Sequence, residues 1–376
     1  MKVALISTFS LPTAPYNTGA VPSLVYNLAN ELGKKGHEVD VYATRDSDSS
    51  GSFNLVPMID KSLWLDTRIK DDISRVEAER MLASIDALKI VLSKNYDIIH
   101  IHRWYFLQFA ALFPTEMLHK IITTHHSPLT DPMLQLLIKK YNQVHHVFIS
   151  EYQRKHSPEA QNSSVIYNGI DLDLFPYSKT PPEKREYMFF LGRIVRDKGA
   201  MEALDIAVRS GHRLIAAGVM DPNEIDYFNT FKTKANSTLT SLVGEVDKDV
   251  RMNYLQNARL MLMPIMGEEA FGLMFIEAMA SGTPNVSFAR GSTLEIIKDG
   301  ITGFLVNPSN SDIRGNFIIK TPGIEGIIEA VQRLYSLSNE EFHTMSQACR
   351  KEVENRFTLT KMVNDYEKLY QKLLTQ

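Results

Sequence analysis

Two carboxylates frame a predicted helix start in the segment GEEAFGLMFIEAMASGTP, residues 267–284. Glu269 lies in the predicted loop, whereas Glu277 lies within the apolar run LMFIEAMA, where an unpaired carboxylate is costly. The helix should begin near Gly272, which leaves its first backbone amides without carbonyl partners and able to attract an anion. The segment therefore predicts a phosphate site, with Glu277 bonded to a ligand hydroxyl or a buried donor. Glu268 is expected to be solvated.

A second phosphate-binding feature is expected after the apolar run YMFFLG, where Arg193 and Lys198 precede Gly199. Open α/β sheets bind ligands at the carboxyl ends of their strands. Two cations there can neutralise the charge that grows on a departing phosphate, which a metal ion would otherwise do. We therefore expect no obligatory metal. The alternative is a solvated turn in which these residues form a salt-bridged cluster with Arg196 and Asp197.

Histidines are concentrated in the first half of the chain. Nine of the eleven lie between His37 and His156, and His100 and His102 share one face of a predicted strand. This spacing also occurs in metal sites, but the acidic ligands that usually follow are missing. Buried packing or the lining of a cleft is therefore preferred over a metal site.

Short apolar runs alternate with helical patterns along the chain, which predicts α/β architecture with parallel strands and crossover helices. The first helix is expected after Gly19. The predicted strands are VALIST, HEVDVYA, DIIHIH, KIITTHH and HHVFIS, then YMFFLGRI, RLIAAGV, SLVGEV, LMLMPIM, PNVSFA and GFLV.

The length of 376 residues favours two domains. A polar, proline-containing stretch at residues 176–186 is expected to be the linker between them. We place the domains at residues 1–180 and 181–355, followed by a helix over 356–376, and expect a loop-rich insert over 307–322.

Composition excludes several functional classes. The formal charge of −3 implies no broad cationic surface for nucleic acid. The lone Cys349 excludes an internal disulfide and fits a reducing cytoplasm. No signal peptide and no apolar stretch long enough for a membrane span is found, and peripheral membrane contact is not favoured.

The motifs resemble, in order and spacing, the retaining glycosyltransferases of the GT-B fold, family 4. The most specific match is EAFGLMFIEAMASGTP, with GRIVRDKG upstream. Supporting matches are DIIHIH, TTHHSP, FISEYQR, VIYNGIDLDLF, GEVDKD and GSTLEIIKDGITGFLV. The resemblance implies two Rossmann-like domains facing across a cleft, with the C-terminal helix returning to the first domain.

The resemblance implies a donor site in the second domain. Arg193 and Lys198 would hold the diphosphate, Glu269 the hydroxyls of the transferred sugar, and Glu277 the ribose. The loop with Glu245 and Val246 would receive the nucleobase through backbone contacts. Sugar and phosphate would contact the backbone of Ala270, Phe271, Gly272, Leu273 and Met274.

In the first domain, the resemblance places the active-site histidine at His126, with His125 as the rival. Neighbours at a strand end point to opposite sides, so one of them faces the cleft. Gly19 corresponds to the family's glycine-rich loop, and Ala20 departs from the second glycine that many relatives have there.

The function implied is transfer of a hexose from a nucleotide-diphosphate sugar, with a UDP-sugar such as UDP-glucose favoured, to a hydroxyl acceptor by front-face attack. The acceptor, whether a small molecule, a glycan or a lipid-linked sugar, is expected to contact the loops at residues 12–18, 45–75 and 102–108. The alternatives are a nucleotide-sugar epimerase, a sugar phosphorylase, and a non-catalytic nucleotide-sugar-binding protein.

Overall fold

The structure is a computed structural model that describes residues 1–15 and 19–375, and the described chain divides into two compact units. Unit 1 comprises Met1–Asn168 and Leu359–Gln376, and unit 2 comprises Gly169–Thr358. Residues 16–18, part of the expected acceptor loop 12–18, lie outside the described residues.

The boundary between the units precedes the expected linker. Ser178 donates a hydrogen bond to the carbonyl of Gln256 at 2.6 Å, and Thr180 donates to the side chain of Asn257 at 2.6 Å. Because these partners belong to unit 2, the polar stretch expected to separate the domains is packed onto that unit. The division therefore falls at residues 168/169 and 358/359, whereas the sequence analysis placed it at 180/181 and 355/356.

The described part of unit 1 forms a parallel sheet with the strand order β3-β2-β1-β4-β5-β6-β7. Apolar strands such as β1 and β4 are buried because helices cover both faces of such sheets. The strands are β1 (Lys2–Ile6), β2 (Glu38–Thr44), β3 (Asn54–Ile59), β4 (Ile98–Ile101), β5 (Ile121–His125), β6 (His145–Phe148) and β7 (Ser163–Val165). The helices are α1 (Ala20–Lys34), α2 (Ile73–Ser93), α3 (Pro132–Lys140), α4 (Glu151–Lys155) and α12 (Leu359–Leu374).

Helix α12 completes the core of unit 1. The hydroxyl of Tyr370 lies 2.7 Å from Nδ1 of His100, and that of Tyr366 lies 3.0 Å from the hydroxyl of Thr124. Glu367 pairs with Lys35, just beyond α1. The predicted return of the C-terminal helix to the first domain is confirmed.

Unit 2 lies wholly within the described residues and forms a parallel sheet in the order β10-β9-β8-β11-β12-β13. Its strands are β8 (Tyr187–Leu191), β9 (Arg213–Ala217), β10 (Thr240–Gly244), β11 (Ala258–Met263), β12 (Asn285–Phe288) and β13 (Gly303–Val306). Its helices are α5 (Ala200–Ser210), α6 (Ile225–Lys234), α7 (Lys248–Asn257), α8 (Leu273–Ala280), α9 (Thr293–Ile296), α10 (Gly323–Ser336) and α11 (Asn339–Arg356).

All eleven predicted strands are confirmed, and the α/β class with two parallel sheets is correct. The insert at residues 307–322 contains an isolated bridge and no regular strand or helix, as predicted. Within residues 1–15 and 19–375, the structure shows no helix with the length and apolar character needed to cross a membrane.

Candidate functional site

The predicted donor residues follow strands that meet where the order of the unit 2 sheet reverses. Strands β8 and β11 are neighbours, and the sheet grows outward from them in both directions. The loops after these two strands are held together, because the carbonyl of Asp197 accepts hydrogen bonds from the amides of Met266 and Gly267 at 2.9 and 3.0 Å. Gly199 allows this approach, since a Cβ there would lie 1.9 Å from the carbonyl oxygen of Pro264. Such a reversal point is where open α/β sheets bind ligands.

Lys198 and Glu269 form a partly buried ion pair between these two loops. Arg193 is more exposed and pairs with Asp221. Neither pair involves Arg196 or Asp197, the partners in the alternative cluster, although Arg193 is largely solvated as that alternative expected. The arrangement places a cation suited to phosphate beside a carboxylate suited to sugar hydroxyls.

Helix α8 begins beside this ion pair. Gly272 is its N-cap residue, and its carbonyl accepts a hydrogen bond from the amide of Phe275 at 3.0 Å. The amides of Leu273 and Met274 lie in the first turn, where no carbonyl four residues earlier is available within the helix. The helix start can therefore offer backbone donors to a phosphate, as the sequence predicted.

The loop before α8 presents backbone rather than side chains. Ala270 and Phe271 are 5% and 2% exposed. Ser292 anchors the loop, because its hydroxyl donates to the carbonyl of Phe271 at 2.7 Å and its amide donates to the carbonyl of Glu269 at 2.9 Å. Any contact of Ala270 or Phe271 with a sugar or phosphate is therefore expected to be a backbone contact.

Glu277 is buried on α8 and faces Arg251 of α7, whose Nη1 lies 3.5 Å from the Glu277 carboxylate. Burial raises the pKa of Glu277, and the charge of Arg251 partly opposes that increase. The Nε of Arg251 is buried and has no hydrogen-bond partner in the described structure. The sequence predicted a buried donor or a ligand hydroxyl for Glu277, but nothing in it pointed to Arg251, which directly follows GEVDKDV.

The expectation that Glu268 is solvated is wrong. Its carboxylate accepts hydrogen bonds from the amide of Gly291 at 2.6 Å, from Arg314 at 2.9 Å and from Arg290 at 3.3 Å. These partners follow Glu268 by 22 to 46 residues, so no local spacing indicated them. Glu268 thereby fixes the backbone next to Glu269.

The loop predicted to receive a nucleobase begins where the edge strand β10 ends. The carbonyl of Gly244 accepts a hydrogen bond from the amide of Gly218 at 2.8 Å, which joins the ends of β10 and β9. Glu245 is exposed and Val246 is half-buried. Both residues lie at the same edge of the sheet as the loops that follow β8 and β11.

In unit 1, the sheet order reverses between β1 and β4, and histidines follow β4 and β5. Nδ1 of His102 lies 3.1 Å from Nε2 of His126, and the two rings stack. Burial lowers the pKa of His102 to about 3 and that of His126 well below its usual value. Both imidazoles are therefore neutral at physiological pH and can exchange hydrogen bonds with a ligand without carrying charge.

His125, the rival of His126, has different neighbours. Its ring stacks on those of His146 and Phe148, and its Nε2 lies 3.1 Å from Nδ1 of His146. The two adjacent histidines thus contact different groups, as their alternation predicted. The assignment of His126 to the active site stays a prediction.

Gly19 is the N-cap residue of α1 and has extended backbone, with φ of −98°. A Cβ at this position would lie 2.8 Å from the Leu11 side chain. The predicted role of Gly19 in close approach to phosphate stays a prediction.

Metal ligation receives no support from the geometry of the histidines. Both ring nitrogens of His100 lie within hydrogen-bond distance of a hydroxyl, Nδ1 of that of Tyr370 and Nε2 of that of Thr124. Neither nitrogen is therefore readily available to a metal. Within the described ranges, no group of three or more His, Cys, Asp or Glu side chains is arranged to hold a metal ion.

Two family models match consecutive parts of the chain. The model described as Glycosyltransferase Family 4 matches residues 21–174, and the model described as Glycosyl transferases group 1 matches residues 174–314.

Curated relatives match over most of their length. The phosphatidyl-myo-inositol mannosyltransferase of Mycolicibacterium smegmatis is 24% identical, with 83% of this chain and 82% of the relative covered. The N-acetyl-alpha-D-glucosaminyl L-malate synthase of Bacillus anthracis is 24% identical, with 76% of this chain and 77% of the relative covered.

Solved structures share the fold. Sucrose-phosphate synthase from Thermosynechococcus elongatus has a TM-score of 0.76 at 18% identity, covering 100% of this chain and 99% of that one. The Anabaena protein HepE in complex with UDP and glucose has a TM-score of 0.74 at 14% identity, covering 99% of this chain and 100% of that one.

Proposed function

The chain belongs to the group 1 glycosyltransferases of family 4, which have the GT-B fold, and from that membership we propose that it transfers a hexose from a UDP-sugar to an acceptor hydroxyl with retention. The single observation that carries the proposed donor site is the Lys198–Glu269 ion pair. It lies between the loops after β8 and β11, beside the start of α8.

The proposed donor site assigns separate parts of the nucleotide sugar to separate groups. The diphosphate binds the first amides of α8, Lys198 and Arg193, which exchange their carboxylate partners for phosphate oxygens. Glu269 accepts hydrogen bonds from the transferred sugar. Glu277 binds the ribose hydroxyls, and the backbone at Glu245 and Val246 binds the base.

In the reaction, the bond between the anomeric carbon and the diphosphate oxygen breaks while the acceptor oxygen bonds to the same carbon from the same face. The acceptor proton passes to the leaving diphosphate oxygen, so no side-chain nucleophile is required. Lys198 and Arg193 stabilise the charge that develops on the diphosphate, which supports a mechanism without an obligatory metal. His126, whose low pKa keeps it neutral, positions the donor sugar through hydrogen bonds.

UDP is favoured over GDP for two reasons. The motifs FLGRIVRDKG, GEVDKD and EEAFGLMFIEAMA resemble those of family members that use UDP-sugars. A structural neighbour, HepE, has been solved with UDP and glucose and with UDP-glucose. A relative named as a mannosyltransferase makes GDP-mannose the donor to test against UDP-glucose.

The donor is tested by thermal shift with UDP-, GDP- and ADP-sugars in buffer with EDTA. A ligand that binds the folded state raises the melting temperature in proportion to RT ln(1 + [L]/Kd), so the UDP-sugar should give the largest shift. A larger shift with GDP-mannose contradicts the donor proposal.

The stereochemistry and the acceptor require product analysis. Mass spectrometry of reactions with an acceptor panel identifies transfer, and proton NMR of the new glycosidic bond reports its configuration. The α-configured donor should give an α-linked product, again in EDTA. A β-linked product contradicts retention, and loss of transfer with EDTA contradicts metal independence.

A further inference from the structure

A small pocket opens at the carboxyl edge of the unit 1 sheet, beside the His102–His126 pair. Its lining includes both histidines, Arg103, Trp104 and Ser127. These residues follow β4 and β5, next to the reversal point of the sheet. The pocket therefore lies where an open α/β sheet binds ligands, and it lies wholly within unit 1.

Arg103 in this pocket has a charge that no neighbour balances. In the described structure its side chain makes no hydrogen bond and no ion pair, and its Nε is buried without a partner. Burial lowers the pKa of Arg103, but a guanidinium remains protonated in proteins. The side chain as a whole is partly exposed, so its terminal nitrogens remain accessible to a ligand while the Nε is buried. A partly buried cation without a partner is less favourable than a paired one, because removing a charge from water costs free energy unless it is paired.

Two arginines that are buried more deeply than Arg103 have partners. Burial also lowers the pKa of Arg185 and of Arg259. Arg185 donates to the carbonyl of Gly282 at 3.0 Å, and Arg259 donates to the carbonyl of Leu334 at 2.8 Å. Both side chains donate hydrogen bonds to backbone carbonyls and have a structural role, whereas the side chain of Arg103 makes no such bond.

No carboxylate among the described residues pairs with Arg103. His102 and His126 are neutral because burial lowers the pKa of each. Arg80 is a second cation close enough to lower the pKa of Arg103, and it pairs with Glu77. The pocket therefore has net positive character, and its lining also includes the hydroxyl of Ser127 and the ring of Trp104.

We propose that this pocket binds an anionic group of the acceptor, a phosphate or a carboxylate, and that Arg103 is its ion-pair partner. The guanidinium fork matches either anion through two parallel hydrogen bonds. The inference rests on the proposed function in taking the ligand to be the acceptor. It specifies the substrate class: a hydroxyl compound that carries an anion next to the hydroxyl that is glycosylated.

The first experiment measures anion binding directly, without turnover. Calorimetric titration of the full chain with methyl phosphate and with malonate, at low salt, should show binding that Arg103→Gln weakens at least about tenfold. Arg154→Gln is the matched control, because Arg154 is exposed on α4 and pairs with Glu151. Equal affinity in the wild type and in Arg103→Gln overturns the inference. The stronger of the two probes distinguishes phosphate from carboxylate.

Folding of the variant is checked by its melting temperature. Because the Arg103 side chain has no partner, Arg103→Gln removes a partly buried, unpaired charge and should melt at the same temperature or higher. Arg259→Gln, which removes hydrogen bonds to backbone oxygens, should melt lower. A lower melting temperature for Arg103→Gln would show that Arg103 is structural and would overturn the inference.

The second experiment measures transfer from the donor identified above to matched acceptor pairs, such as glucose with glucose 6-phosphate and glycerol with glycerol 3-phosphate. The anionic member should be preferred, and Arg103→Gln should raise its KM at least about tenfold. If the neutral acceptor is preferred, and this preference is the same in Arg103→Gln, the inference is overturned. Transfer to that acceptor would still uphold the proposed function. Absence of both donor binding and donor hydrolysis would instead reject the proposed function, and the calorimetric result would still decide the anion site.

Discussion

The cations near the carboxyl edges of the two sheets differ in whether a carboxylate is paired with them. In unit 2, Lys198 faces Glu269 and Arg251 faces Glu277, so each of these cations has a carboxylate. In unit 1, Arg103 has no carboxylate among the described residues and lies beside neutral histidines. The two sheets of the same parallel type thus differ in how their cations are paired. Under the proposals made above, the charges in unit 2 exchange partners when a ligand binds, whereas the charge of Arg103 is neutralised by the ligand itself.

The largest expected effect comes from breaking the ion pair of unit 2. Lys198→Ala and Glu269→Ala should each lower kcat/KM by at least about 10²-fold, because each removes a group that acts on the donor in the transition state. Kinetics with the donor identified by thermal shift measure the loss, with Lys232→Ala on the exposed face of α6 as the control. Wild-type turnover in both variants would reject the site. In the double variant the losses should not add, because the two residues are in direct contact.

A smaller effect is expected from displacing the backbone of Glu269 while keeping its side chain. Gly291 has φ of +59°, and a Cβ there would lie 2.2 Å from the carbonyl oxygen of Glu269. Gly291→Ala should lower kcat/KM roughly tenfold and destabilise the protein by about 2–4 kcal/mol, through backbone strain plus the clash.

Gly211→Ala is the matched control for that strain. Gly211 also has positive φ, +74°, but a Cβ there meets nothing within 4 Å. It should cost about 1 kcal/mol in urea unfolding and leave activity unchanged. Equal losses of stability and activity in the two variants would contradict a role for the Glu269 backbone position.

The smallest expected effect concerns the second ion pair and depends on pH. Burial raises the pKa of Glu277 above its usual 4.5, and Arg251 opposes this increase. At pH values below 4.5 the Glu277 carboxyl is mostly protonated in both the folded and the unfolded chain. As the pH rises, the unfolded chain releases the proton and is stabilised, whereas the folded protein must keep the proton or bury the charge. The stability lost in Arg251→Met should therefore be larger at pH 8 than at pH 5, by roughly 1–2 kcal/mol.

Urea unfolding at the two pH values measures this difference. In the Arg251→Met/Glu277→Gln double variant the carboxyl is gone, so the pH-dependent part should disappear. A loss in Arg251→Met that is the same at pH 5 and pH 8 would show that Arg251 does not stabilise the ionised carboxylate.

The sequence could predict those strands that are buried on both faces, because such strands consist of a continuous apolar run. Strand β3 was missed because it contains Pro57 and is only half-buried at the edge of its sheet. Strand β7 was missed because it has three residues and no fully buried side chain. In both strands the position in the sheet, which the local sequence does not encode, decides the structure.

In the candidate site, too, features encoded by contiguous sequence could be predicted and tertiary contacts could not. Glu269, Gly272 and Glu277 could be identified because a loop, a helix start and an apolar run are contiguous in sequence. The partners of Glu268 and of Glu277 come from other segments, and Glu268 was misread as solvated for that reason. Whether a charged side chain is paired is a property of tertiary contacts, so the unpaired state of Arg103 could not be read from its neighbours in sequence.

Helix α12 has a consequence for the order in which the chain acquires its structure during synthesis. Unit 2 is one continuous segment, but unit 1 is assembled from residues on either side of it. Tyr366 bonds to Thr124 and Tyr370 bonds to His100. Both tyrosines are synthesised after all of unit 2. While the chain is still growing, the polar groups inside the first sheet therefore lack their final partners. The second sheet can fold on the ribosome, whereas the histidine-lined interior of the first is completed only after residues 359–374 have emerged.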